Sequence, residues 1–103
     1  MQETVPITLN LDRHRLMSDL KADFPHYRVS SKLWGWVAID TCVDVTVRFK
    51  VEPTGVKLYA RRRWLPALLS DGSLMSIYGD MELEREIKAD HAKFADWLRR
   101  RYG

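Results

Sequence analysis

VDVTVRFKVEPTGVKLYARRR, Val43 to Arg63, is the stretch whose reading decides the fold. Val43, Val45, Val47, Phe49 and Val51 alternate with Asp44, Thr46, Arg48 and Lys50, a period of two that marks a β-strand with one buried face. Glu52-Pro53-Thr54-Gly55 then reverses the chain, because the Pro53 ring presets φ and Gly55 tolerates positive φ. A second strand begins at Val56. Keeping the apolar faces together sets Val51 opposite Val56, Phe49 opposite Leu58 and Val47 opposite Ala60, since a slip of one residue would bring Lys57 and Arg61 among the valines.

Upstream, LWGWVAID from Leu33 to Asp40 reads as a further strand, with Leu33, Gly35, Val37 and Ile39 on one face and Trp34, Trp36 and Ala38 on the other. A reversal at Asp40-Thr41-Cys42 would oppose Ile39 to Val43 and Val37 to Val45. Tyr27 and Val29, before a Ser30-Ser31-Lys32 turn, add a fourth strand to an antiparallel meander. Thr4 to Leu9 also alternates, but Pro6 lacks an amide donor, so a strand there belongs at an edge. Asn10 or Asp12 caps a short helix carrying Leu16, Met17 and Leu20, and Phe24-Pro25 stops it because the residue before proline avoids the α region.

Downstream the signals mix. Within Trp64 to Tyr78, Pro66 suits the first turn of a short helix, Asp71-Gly72 suits a turn, and Leu74 to Tyr78 suits a short strand. Asp80 caps a final helix with Glu82 and Glu84 early and Arg99-Arg100-Arg101 late, the polarity the helix dipole favours. Leu83, Ile87, His91, Phe94 and Leu98 form its stripe, flanked by Trp97. The expected architecture is α+β: a four- to five-stranded antiparallel meander, with two helices packed on the face carrying the valines and Phe49, in one domain spanning residues 1–103.

The bulk composition narrows the class. A chain of 103 residues, 46% hydrophobic and 30% charged, folds as a globule that buries roughly two thirds of its unfolded surface. A single cysteine, Cys42, excludes an internal disulfide framework and any CxxC metal or redox site, and it suits a reducing cytoplasm. MQETVPITLNLDRHR has no apolar leader, and no run approaches the ~18 apolar residues of a membrane span. The net charge of +3 permits an anionic partner without requiring one.

Function is read from the second sheet face. The expected register sets Trp34 and Tyr59 beside Arg48, and Trp36 and Arg61 beside Thr46, with Lys50 and Lys57 toward the turn. Aromatics interleaved with cations on an antiparallel face anchor protein interfaces and also stack bases. Trp64 to Tyr78 folded over this face would instead make it a second core, and Arg48 on Trp34 would be a local cation–π pair of about 0.5 to 1 kcal/mol.

The expectation is therefore an interaction or regulatory module. It would bind a protein partner or a second copy of itself through Trp34, Trp36, Arg48 and Tyr59. The alternative is a nucleic-acid binder using that face with Arg61, Arg62 and Arg63, although a solvated strand end is the first reading of that triplet and phosphate or acidic-partner contact the second. By alternation Arg62 falls on the core side, opposite Val45, as a strand-end or snorkelling residue.

Chemistry has thinner support. His91 lies in the apolar stripe of the last helix, where a core-edge histidine with one hydrogen bond is the ordinary arrangement. His14 and His26 show no paired spacing with it, so no metal site is expected. Cys42 would act as a nucleophile only if His26 or His91 came close in space. No GxSxG, P-loop or GxGxxG occurs, so neither enzyme activity nor a cofactor is expected.

Overall fold

The computed structural model describes residues 2–41, 44–63 and 72–103. Its central hairpin joins β4 (Val45–Glu52) and β5 (Gly55–Arg62), with Val51 opposite Val56, Phe49 opposite Leu58 and Val47 opposite Ala60, as the apolar alternation requires. Gly55 has φ 154°, and a Cβ there would run into the Val5 carbonyl oxygen, so glycine is needed both for the turn and for the close passage of the neighbouring strand.

The sheet has five antiparallel strands in the order β1-β5-β4-β3-β2, where β1 is Gln2–Val5, β2 is Arg28–Ser31 and β3 is Trp36–Asp40. With α1 (Arg13–Asp23) and α2 (Gly72–Tyr102) it makes an α+β fold. The N-terminal strand takes the β5 edge and stops before Pro6, shorter than the alternation from Thr4 to Leu9 suggests. Past that proline the chain lifts off the sheet. Thr8 N–H and the Thr8 hydroxyl both bond the Tyr102 carbonyl, at 2.9 and 3.2 Å.

Asp12 caps α1, its side chain accepting from the Arg15 amide at 2.8 Å. Phe24 closes the other end with its N–H on the Leu20 carbonyl at 2.9 Å. Leu16 and Leu20 from α1, and Phe94, Leu98 and Tyr102 from α2, meet Val37, Ile39, Val45, Val47, Phe49 and Leu58 in one core. Phe94 stacks edge-on against Phe49 with ring centroids 5.6 Å apart, so both helices lie on the expected face.

Three expectations fail. The Ser30-Ser31-Lys32 turn is not there: Ser30 pairs with Ala38 and Ser31 with Val37, and the reversal is a single 3-10 turn at Leu33–Gly35. Trp34 and Gly35 take positive φ (65° and 81°), a task glycine accepts and tryptophan seldom does. Second, β3 pairs with β4 four residues further along than expected: Ile39 faces Val47 and Val37 faces Phe49. An even slip preserves the buried face, so the apolar pattern alone cannot detect it. Third, Leu74 to Tyr78 is not a strand and Asp80 is no cap, because both lie within α2, which already runs from Gly72. Cys42, Val43 and Trp64 to Asp71, the first part of the stretch considered as a cover for the second face, fall outside the described residues.

Candidate functional site: a cationic sheet face

Opposite the helices, strand alternation and the observed pairings put Trp36, Ala38 and Asp40 of β3 beside Lys50, Arg48 and Thr46 of β4. Lys57, Tyr59 and Arg61 of β5 follow on the next strand. Arg28 and Ser30 of β2 extend the face on one side, and Gln2 and Thr4 of β1 on the other. Trp36, Arg48, Tyr59 and Arg61 line one cavity, although Trp36 stands beside Lys50 and not, as expected, beside Thr46; Arg63 lies at the β5 end. Trp34 does not join them. It sits 84% exposed at the β2–β3 turn, beside Leu11, Asp12 and Arg13.

The register sets Lys50 directly opposite Lys57 and Arg48 opposite Tyr59, with Arg61 on the diagonal from Arg48. Like charges directly opposed on one face destabilise a sheet pair. Lys50 is drawn toward the Trp36 ring, its Nζ 5.8 Å from the centroid. Arg28, Arg48, Lys50, Lys57, Arg61 and Arg63 share this face with Asp40 and Glu52, and Asp44 lies beside Arg63 at its end.

Asp40 is already engaged. It accepts from the Thr46 hydroxyl at 2.8 Å and lies 3.8 Å from the Arg63 guanidinium. Arg48 and Arg61 have no carboxylate at ion-pair distance among the described residues, and the Nε of each is buried without a hydrogen-bond partner. Burial is the main influence holding the Arg48 pKa below the usual arginine range, and the neighbouring Arg61 charge pushes the same way, partly opposed by Asp40 and Tyr59.

These two arginines form the shared wall of two cavities. One, of about 370 Å³, is lined by Gln2, Trp36, Lys57 and Tyr59 together with the pair. The other, of about 200 Å³, is lined by Arg28, Ser30, Lys32, Asp40, Thr46 and Arg63 together with the pair. Arg28 could have been recognised from its alternation with Val29. Ser30 and Lys32 could not, once they were read as a turn.

The other residues singled out in the sequence include the histidines and the arginines of α2. His91 is 6% exposed, its Nε2 lacks a hydrogen bond, and Glu3 Oε1 lies 3.7 Å away. Burial pushes its pKa down, partly opposed by the Glu3 charge. The expected single hydrogen bond is not made by that nitrogen. His14 is on α1 and His26 precedes β2. No cluster of three or more metal-ligating side chains occurs among the described residues. Arg99 pairs with Glu3 and Arg101 with Asp19 and Asp23, so the arginine run at the end of α2 ties that helix to β1 and α1. Arg62 keeps its expected place opposite Val45 at the end of β5.

The site and fold together define a small α+β domain with a cationic, aromatic-lined sheet face. No family model matches the chain, and no curated protein or solved structure shows significant similarity to it. No helix among the described residues is long and apolar enough to cross a membrane.

Proposed function

We propose that this protein is a non-catalytic binding module that takes single-stranded nucleic acid on the sheet face opposite its helices. The observation that carries the reading is the concentration of Arg28, Arg48, Lys50, Lys57, Arg61 and Arg63 on one face, where Lys50 opposes Lys57 and neither Arg48 nor Arg61 makes an ion pair with a carboxylate among the described residues. Like charges held together at a cost to the sheet find compensation in a polyanion. Trp36 and Tyr59, half-buried against the larger cavity, supply ring faces on which bases stack.

Self-association through this face is the weaker reading. A two-fold interface brings a patch against itself, and here that would set cations against cations. An acidic protein partner satisfies the charge but leaves the paired aromatic and cationic cavities without a specific use.

The test is fluorescence anisotropy of labelled RNA and DNA oligonucleotides over about 50 to 200 mM salt, with polyglutamate as competitor. The expected result is binding that weakens steeply with salt, with a slope of about −0.7 per phosphate neutralised, and poor competition by polyglutamate. Polyglutamate competing as well as unlabelled oligonucleotide would move the assignment to an acidic protein partner.

A further inference from the structure

Resting on that reading, we infer that Arg48 and Arg61 together form a single phosphate subsite, and that the nucleotide attached to this phosphate places its base in the cavity between Trp36 and Tyr59. Three observations converge. The two side chains stand diagonally on adjacent strands, within reach of one tetrahedral anion. Both lack a carboxylate partner among the described residues, while the nearby Asp40 is taken up by Thr46 and Arg63. They also separate an aromatic-lined cavity of about 370 Å³ from a polar one of about 200 Å³, so a ligand bridging them needs a ring on one side and further anionic or hydroxyl groups on the other.

The chemistry is that of a fork. Each guanidinium can present parallel N–H donors to two phosphate oxygens, which an ammonium cannot do. The Nε of each side chain is buried without a partner, and both residues line the two cavities, so a bound anion would meet donors that nothing else among the described residues satisfies. The larger cavity then decides what the phosphate is attached to, because Trp36 and Tyr59 give it an aromatic lining that suits a flat ring.

Calorimetric titration with inorganic pyrophosphate, a nucleoside monophosphate and the matching nucleoside tests the subsite separately from polymer binding. The monophosphate is expected to bind at least about tenfold more tightly than the nucleoside, through charge-assisted bonds of about 1.5 kcal/mol or more. Arg48→Lys and Arg61→Lys keep the charge and remove the fork. Each should weaken the monophosphate about tenfold with an unchanged denaturation midpoint, while Arg13→Lys on α1 changes neither.

Equal affinity for nucleoside and monophosphate, or equal weakening by the Arg13 control, would overturn the subsite even if oligonucleotides bind. Monophosphate binding that follows the Arg48 and Arg61 variants while oligonucleotides fail to bind would leave the subsite standing and remove the polymer reading.

Discussion

The Tyr102 hydroxyl donates to Asp19 Oδ2 at 2.6 Å, linking the end of α2 to the middle of α1 beneath a fully buried ring. Arg101 reaches the other Asp19 oxygen at 2.9 Å, and Arg15 stands 3.8 Å away. The Arg101 hydrogen bond is the chief influence lowering the Asp19 pKa. Burial and the bond to Asp19 raise that of Tyr102.

Tyr102→Phe keeps the ring and leaves Asp19 short of one donor. It should cost about 1 to 2 kcal/mol in urea denaturation, and Asp19→Asn a similar amount or more. Because both changes break one network, the double variant should cost less than the sum. Strict additivity would show that the hydroxyl and the carboxylate act independently.

Acid should weaken the fold in two separate ranges. The His91 pKa lies below 6.5 in the folded state, so the unfolded chain binds the proton first, and its share of stability is complete above pH 6.5 and lost as pH falls below it. Asp19 is lowered from 3.8, so its share persists down to that pH and is lost only below it. His91→Gln should flatten the first decline and leave the second. Denaturant midpoints measured from pH 7.5 downward check this, and an unchanged decline in the upper range would assign it to another group.

Phe49 is fully buried at the centre of the sheet against Phe94, so Phe49→Ala should cost about 3 to 5 kcal/mol. Lys50, one residue along and pointing to the opposite face, should cost under about 1 kcal/mol when changed to Ala. Equal losses would contradict the assignment of the two faces.

The two neighbouring tryptophans should behave differently. Trp34→Ser, at an exposed turn with positive φ, should change stability by no more than about 0.5 kcal/mol and leave nucleic-acid binding intact. Trp36→Ser should reduce binding by the about 1 to 3 kcal/mol typical of a lost stacking surface. Comparable binding losses from both would extend the site around the β2–β3 turn.

Lys57→Glu exposes a conflict between stability and binding. Opposite Lys50 it replaces a repulsive pair with an attractive one, so the denaturation midpoint should rise by the equivalent of about 0.2 to 1 kcal/mol. Oligonucleotide affinity should fall at the same time, with a shallower salt dependence. A midpoint that falls would mean that Lys57 is already neutralised by a contact of its own.

The sequence was readable where a turn pins it. Pro53 and Gly55 fix one reversal, so every pair from Val45–Arg62 to Glu52–Gly55 follows from the alternation. Between β3 and β4 no such punctuation exists, and alternation settles only which face is buried. The slip of four residues moved Ala38, rather than Trp34, beside Arg48 and brought Asp40 beside Thr46. The start of α2 was obscured because Asp71-Gly72 read as a turn and Asp80 as a cap, although an interior glycine such as Gly79 costs a helix only about 1 kcal/mol. The cationic character of the face was legible in part: Arg48, Lys50, Lys57 and Arg61 follow from the hairpin, and Arg28 from its alternation with Val29, whereas Ser30 and Lys32 join only through the β2–β3 pairing.

Vectorial synthesis meets an obstacle in the placement of β1. This strand emerges first, yet its partner β5 is complete only at Arg62, and the Glu3–Arg99 and Thr8–Tyr102 contacts that fasten it wait for the end of α2. The hairpin and the strands before it can therefore assemble while the β5 edge still stands open, and closing that edge is the most sequence-distant step of folding. During that interval β5 offers its unpaired backbone to any extended chain nearby, so the nascent chain is most exposed to mispairing until the end of α2 is in place.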